Sequence, residues 1–225
     1  MILLACGIRA ESVIFDFDGV IVDTEPLHYK SFQRVLDPLG LGFSWKDYVD
    51  TYMGFDDRDA FVEAFAAGGR KLNSDVLHSL ISEKAILFQE IILEGVSAYP
   101  GVVDLIRLLH VEKIPLAISS GALRSDIDPI LTILGLQEYF DVIVTAEDVK
   151  KSKPDPECYQ LAFEKLCLRH KMPLLKGSSV AIEDTPAGIL SAKLAGLQVI
   201  AVSNSYPPEK LSDASFVTDS LESLV

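Results

Sequence analysis

Short runs of apolar, mostly β-branched residues recur along this chain, with capped amphipathic segments between them. The runs cover 12–17, 114–119 (IPLAIS), 140–145 (FDVIVT), 179–183 (SVAIE) and 198–202 (QVIAV). They are brief and continuous, as strands buried on both faces should be. Between them, GVVDLIRLLH repeats apolar residues at i, i+3 and i+4. DPECYQLAFEKL sets Asp155 to cap a helix and Pro156 at its first position. DTPAGILSAKLAGL does the same with Thr185 and Pro186, then stops at Gly196. Strand and helix alternating in this way predict an α/β fold, a doubly wound and mainly parallel sheet with a Rossmann-like core.

One segment breaks the alternation. From Glu25 to Val96 no strand pattern occurs, and helices are expected at 26–39, 45–51, 56–67 and 74–94. Phe61, Phe65, Leu77, Leu80, Ile81, Leu87, Phe88, Ile91 and Ile92 fall on their apolar faces. The expected division is a discontinuous core of 1–24 and 97–225 with a smaller helical domain at 25–96. The chain would leave near Thr24 and return near Tyr99–Gly101, two hinges that would let the helical domain move.

Composition narrows the partners. The chain has 225 residues and a formal charge of −13, from 33 acids against 20 bases. Such a surface repels nucleic acid and anionic membrane, so neither is an expected partner. Cys6, Cys158 and Cys167 are too scattered for a disulfide framework or a zinc site, which suits a reducing cytoplasm. The opening MILLACGIRAES has no basic residue ahead of its apolar run. That run is shorter than the roughly 7–15 residues of a signal core, so a short extension into the first strand is expected. No apolar run approaches the ~18 residues of a membrane span.

Acids stand where apolar runs end. VIFDFDG places Asp16 and Asp18 after a buried strand, VAIEDTPAG does so with Glu183 and Asp184, and VTAED with Glu147 and Asp148. In open α/β sheets, ligands bind beyond the carboxyl ends of the strands where strand order reverses. Residues i and i+2 on a strand share a face, so Asp16 and Asp18 are expected to share one pocket. Two close carboxylates raise each other's pKa unless a cation is present. A hard divalent ion such as Mg²⁺ seeks such oxygen ligands. Lys153 in KKSKPDP would hang over the same strand ends, and Ser119, Ser120 and Gly121 could hold phosphate oxygens.

In chain order, DxDG, a strand-end serine, a lysine before proline and the ED pair resemble the haloacid dehalogenase superfamily. FDFDGVIVDTE, SKPDP and IEDTPAGILSAKLAG most resemble its β-phosphoglucomutase and sugar-phosphatase branch. The resemblance spans nearly the whole chain and makes the inserted helices a cap. It implies that Asp16 is a nucleophile forming an aspartyl phosphate. It makes Asp18 the general acid and base, with its main-chain carbonyl on Mg²⁺ beside the Asp16 and Asp184 carboxylates. Glu183 would ligate the ion directly or through water, and Ser120 and Lys153 would hold the transferring phosphoryl group. Ser119 remains the alternative to Ser120 by a slip of one residue. The dehalogenase branch lacks the second acid, so Asp18 favours phosphoryl transfer.

The same resemblance divides into two activities. A mutase must grip a bisphosphate at both ends, and in that branch the second strand continues S-x-S-K-N. This chain reads Ser120, Gly121, Ala122, Leu123, Arg124, with Arg124 as a partial substitute. His28 and Lys84 match cap positions of the branch, and Arg58 resembles the cap arginine, one residue further from Gly54. Gly121, Arg58, Lys84, His28 and Arg124 are therefore the expected substrate contacts. The expected function is Mg²⁺-dependent hydrolysis of a small phosphorylated metabolite, a sugar phosphate, by a cytoplasmic monomer. The alternatives are a β-phosphoglucomutase-type phosphosugar mutase and a non-catalytic binding relative.

Overall fold

A computed structural model describes residues 1–53, 55, 57–171 and 173–225. It contains the strands β1 (Ile2–Leu3), β2 (Arg9–Ala10), β3 (Ser12–Phe15), β4 (Leu116–Ser119), β5 (Val142–Val144), β6 (Ser179–Glu183), β7 (Gln198–Val202) and β8 (Phe216–Thr218). Its α-helices are α1 (Glu25–Leu36), α2 (Trp45–Asp47), α3 (Asp57–Ala67), α4 (Ser74–Leu93), α5 (Val102–Val111), α6 (Arg124–Leu134), α7 (Glu157–His170) and α8 (Pro186–Ala195). The chain divides into two compact units, one of 1–23 with 97–225 and one of 24–96.

The first unit is built on a six-stranded sheet in the order β5-β4-β3-β6-β7-β8, and every neighbouring pair is parallel. All four residues of β3 are buried, as are those of β4 and β6. That double-sided burial is why these strands are continuously apolar rather than alternating. Each fully buried Val, Ile or Phe contributes roughly 1.5–3 kcal/mol, so a slip of β3 would cost several such residues at once. β3 is flanked by β4 on one side and β6 on the other, with Phe15 level with both Ile118 and Ile182. The strand order reverses there, which sets the ends of β3, β4 and β6 around one crevice.

Local chemistry ends the elements where the crevice needs them. Thr185 caps α8 by accepting from Gly188 N at 3.0 Å, with Pro186 in the first turn. Gly196, at φ 91°, closes that helix in the left-handed region that favours glycine. α7 begins one residue later than the sequence suggests: Pro156 is its N-cap, and Asp155 Oδ1 accepts from Glu157 N at 3.1 Å. β3 also ends earlier than expected, at Phe15, so Asp16 and Asp18 lie on the following turn rather than on one strand face. β8 and the β1–β2 antiparallel hairpin have no counterpart among the expected strands.

The second unit packs its helices around Phe32, Leu36, Tyr48, Phe61, Phe65 and Leu80. The expected helix at 45–51 is instead the single turn of α2, continued by a π-helical turn over Tyr48–Tyr52. Asn73 caps α4 by accepting from Val76 N at 2.9 Å. Gly54, from which Arg58 is counted, and Asp56, the expected start of a helix, lie outside the described residues.

Candidate active site

Asp16 is the first residue beyond β3, and its amide donates to Ile182 O at 2.9 Å. That bond extends the β3–β6 ladder by one step and fixes the start of the turn. The turn closes through Gly19 N to Val22 O at 2.9 Å and Ile21 N to Phe17 O at 2.8 Å. Gly19 has φ 76°, and a Cβ there would overlap the Asp184 carboxylate and Ser205 Oγ. Glycine is thus required for both conformation and space. Asn204, just past β7, donates to Gly19 O at 2.7 Å and holds the turn from the other side.

One oxygen each from Asp16, Glu183 and Asp184 lie within 4.8 Å of one another, and all three residues are buried. Burial first, then the charge of Glu183, raises the Asp16 carboxyl well above the ordinary carboxylate range, against the opposing pull of Lys153. Burial and then Glu183 push Asp184 up to about 7, with Asp18 near enough to add to the effect. Ser205 Oγ donates to Asp184 Oδ2. Asp184 Oδ1 is buried and has no hydrogen-bond partner among the described residues. Three buried carboxylates facing one lysine are short of positive charge, and an orphaned carboxylate oxygen needs a partner. A hard divalent cation suits both needs, so this acidic cluster, with the orphaned oxygen of Asp184, fits Mg²⁺. The Asp18 side chain is not part of this three-acid group.

Lys153 lies on the β5–α7 loop. Its Nζ stands 2.9 Å from Asp16 Oδ1, 2.6 Å from Glu183 Oε1 and 3.1 Å from Ser119 O. Burial works against its charge, but Asp16 and then Glu183 outweigh burial and hold its pKa above the usual lysine range. The two serines at the end of β4 diverge. Ser119 Oγ donates into the core, to Cys158 Sγ at 2.8 Å. Ser120 lines a cavity of about 230 Å³ together with Gly121 and Lys153, and its Oγ accepts from Ala122 N at 2.9 Å. The lysine at Asp16 and the Ser120 hydroxyl on the same cavity are groups that can hold a tetrahedral anion.

Other expected residues stand elsewhere. Arg124 donates to Ile143 O at 2.9 Å and pairs with Asp128 at 3.6 Å. Glu147 accepts from Arg124 N, and Asp148 caps Thr145 and pairs with Lys165 at 3.0 Å. The acids after β5 are therefore structural and do not join the three-acid group. In the second unit, Lys84 is buried and its Nζ lies 2.9 Å from His28 Nδ1 and 2.6 Å from Asp57 Oδ1. His28 stacks on Phe88 at 4.3 Å, and burial followed by the Lys84 charge lowers its pKa well below the usual value. Arg58 is exposed on α3.

Three contributors escape sequence reasoning. Tyr159 donates to Glu183 Oε1 at 2.7 Å, while Asn204 and Ser205 support the turn and Asp184. Tyr159 reads as one more apolar position on α7. Asn204 and Ser205 follow β7, and the rule that ligand residues lie past strand ends could have found them.

Comparison with known proteins agrees with this geometry. Residues 13–202 match the family model described as haloacid dehalogenase-like hydrolase. The chain is 32% identical over 191 residues to the phosphorylated carbohydrates phosphatase of Thermotoga maritima, covering 84% of this chain and 83% of that one. It is 31% identical over 196 residues to the fructose-1-phosphate phosphatase YqaB of Escherichia coli, covering 86% and 97%. The solved β-phosphoglucomutase of Clostridium difficile superposes with a TM-score of 0.77 at 25% identity, over 96% of this chain and 93% of that one. The chain belongs to the haloacid dehalogenase-like hydrolases, within their branch of sugar-phosphate phosphatases and β-phosphoglucomutase-like proteins.

Proposed function

We propose that this hydrolase is an Mg²⁺-dependent phosphatase of a small phosphorylated metabolite, a sugar phosphate, working through an aspartyl phosphate at Asp16. The observation that carries the reading is the approach of Lys153 Nζ to Asp16 Oδ1 at 2.9 Å beside the orphaned oxygen of Asp184. The curated relatives that act on phosphorylated carbohydrates and fructose 1-phosphate support the substrate class.

The Asp16 and Asp184 carboxylates and the main-chain carbonyl of Asp18 would hold the metal. When bound, Mg²⁺ supplies positive charge that offsets repulsion between a carboxylate and a phosphate. Asp16 attacks the phosphorus and the bond to the sugar oxygen breaks. Asp18 gives that oxygen a proton. Lys153 and Ser120, with Gly121, steady the charge on the transferring group. Water then attacks the aspartyl phosphate, and Asp18 takes its proton. Covalent transfer divides one difficult hydrolysis into two easier steps. The helical unit acts as the cap through which His28, Lys84 and Arg58 meet the sugar. We read the protein as a cytoplasmic monomer.

The second reading is a phosphosugar mutase. The likeness to the solved β-phosphoglucomutase and the presence of His28 and Lys84 favour it. Against it, Ala122 and Leu123 offer no side-chain donor to a distal phosphate, and Arg124 is engaged by Ile143 O and Asp128. The test uses β-glucose 1-phosphate with a trace of the 1,6-bisphosphate, following glucose 6-phosphate and free phosphate separately. Phosphate release is expected to dominate; isomerisation much faster than release would give the mutase reading the place.

A further inference from the structure

The Glu183 carboxylate, at the tip of β6, is fully buried, and donors surround it. Oε1 accepts from Lys153 Nζ at 2.6 Å and from the Tyr159 hydroxyl at 2.7 Å. Oε2 accepts from the amides of Asp184 and Thr185 at 3.1 and 3.3 Å, and from Thr185 Oγ1 at 3.2 Å. An ionised carboxylate offers about four lone-pair sites. Five donors exhaust them, so a metal ion could bind Glu183 only by displacing one. Gly188 closes the remaining side, since a Cβ there would overlap the carboxylate itself. Asp184 differs, because its Oδ1 is buried without a partner among the described residues.

Tyr159 is the one donor to this carboxylate whose role neither the turn nor the lysine explains. It is fully buried on α7. Lys153 Nζ lies 4.8 Å from its ring centroid and 3.5 Å from its hydroxyl oxygen. The same Nζ is shared between Glu183 Oε1 at 2.6 Å and Asp16 Oδ1 at 2.9 Å. Two carboxylates thus compete for one ammonium group. A hydroxyl donated to Glu183 draws off part of its charge, and the π face below the lysine limits where it can go. Both effects leave the ammonium available to Asp16.

We propose that Tyr159 is a positioning residue: its hydroxyl, with Thr185, commits Glu183 to holding Lys153 beside Asp16, and Glu183 is not a ligand of the metal. The proposal rests on the reading of Asp16 as the phosphoryl acceptor. It separates the two residues of the ED pair by role, Asp184 for the metal and Glu183 for the lysine.

Tyr159→Phe removes one oxygen and keeps the ring. We expect kcat on a sugar phosphate to fall about tenfold, equivalent to ~1.4 kcal/mol of transition-state stabilisation, with KM changed far less. Mg²⁺ affinity, read by calorimetry with the metal alone, is expected to stay within about twofold in Tyr159→Phe and in Glu183→Gln, and to collapse in Asp184→Asn. In the Glu183→Gln background, Tyr159→Phe should cost far less than in the wild type, because the hydroxyl acts mainly through that carboxylate, its contact with Lys153 being longer, at 3.5 Å against 2.7 Å. An unchanged kcat in Tyr159→Phe, additive losses in the double variant, or an Mg²⁺ affinity lost in Glu183→Gln as fully as in Asp184→Asn would each overturn the proposal. Should Tyr159→Phe fail to fold by circular dichroism, the Glu183→Gln calorimetry still decides whether Glu183 binds metal. A wild-type protein that releases no phosphate with Mg²⁺ would instead overturn the phosphatase reading, which the metal titrations do not depend on.

Discussion

Lys153 Nζ and Asp16 Oδ1 stand 2.9 Å apart, with their side chains only 14% and 11% exposed. A lysine so placed cannot neutralise Asp16, Glu183 and Asp184 together, and the deficit makes the end of β3 a site rather than a salt bridge. It also fixes the Asp16 carboxylate, since Oδ1 is tied to the lysine, as the role proposed for Asp16 requires.

Asp16→Asn should abolish turnover and spare the fold. The amide keeps the shape but is neither a nucleophile nor an anionic ligand. Phosphate release is expected to drop by at least about 10²-fold, with the circular dichroism spectrum unchanged. Retention of more than a few per cent of activity in a clean preparation would sink the role given to Asp16.

Asp18→Asn and Asp184→Asn should differ in what they lose. Asp18 is proposed to meet the metal through its main chain, so its variant should keep most Mg²⁺ affinity while turnover falls on the order of 10²–10⁴. Asp184→Asn should lose the affinity itself, because Asp184 carries the orphaned oxygen. Calorimetry on both variants separates these outcomes; equal loss of affinity would count against the division.

The metal-free protein should lose stability as pH rises from about 4 to about 7 through this site. Asp184, whose ordinary value is 3.8, is pushed up to about 7 in the folded chain, first by burial and then by Glu183. Across that window the folded chain holds a proton that the unfolded chain has released. The contribution is therefore fully present below pH ~4 and gone above pH ~7. Asp16 shifts in the same direction. Thermal melts in chelator should show this slope, with a shallower one in Asp184→Asn, and Mg²⁺ should restore stability at neutral pH. A slope identical in both proteins would contradict it.

Much of this was legible in the sequence, and the exceptions have physical reasons. The strands buried on both faces are continuous apolar runs, so β3, β4, β6 and β7 stand out. β8 is three half-buried residues on the sheet edge and carries no such run. β1 and β2 have two residues each. Strand-end acids pointed to the site, but the acids after β5 follow the same grammar and serve as a cap and ion pairs. Only the spatial meeting of β3 with β6 distinguishes the two cases. Tyr159, Asn204 and Ser205 meet partners 24, 185 and 21 residues away, and no local pattern carries such contacts.

Gly188→Ala sets two effects against each other. Alanine is the better helix former by about 1 kcal/mol. Its Cβ, however, would overlap the Glu183 carboxylate, and overpacking a filled site costs roughly 1–3 kcal/mol. The clash should win, lowering the melting temperature and, by shifting Glu183 and with it Lys153, lowering kcat. A variant more stable than wild type with unchanged kcat would contradict the packing around Glu183.

The central claim is tested most directly by phosphate release from a panel of sugar phosphates, with Mg²⁺ and with chelator, in wild type and Asp16→Asn. The account predicts release from at least one sugar phosphate that requires Mg²⁺ and vanishes in Asp16→Asn. Release that persists in chelator or in Asp16→Asn, or no release from any sugar phosphate with Mg²⁺ present, would contradict it.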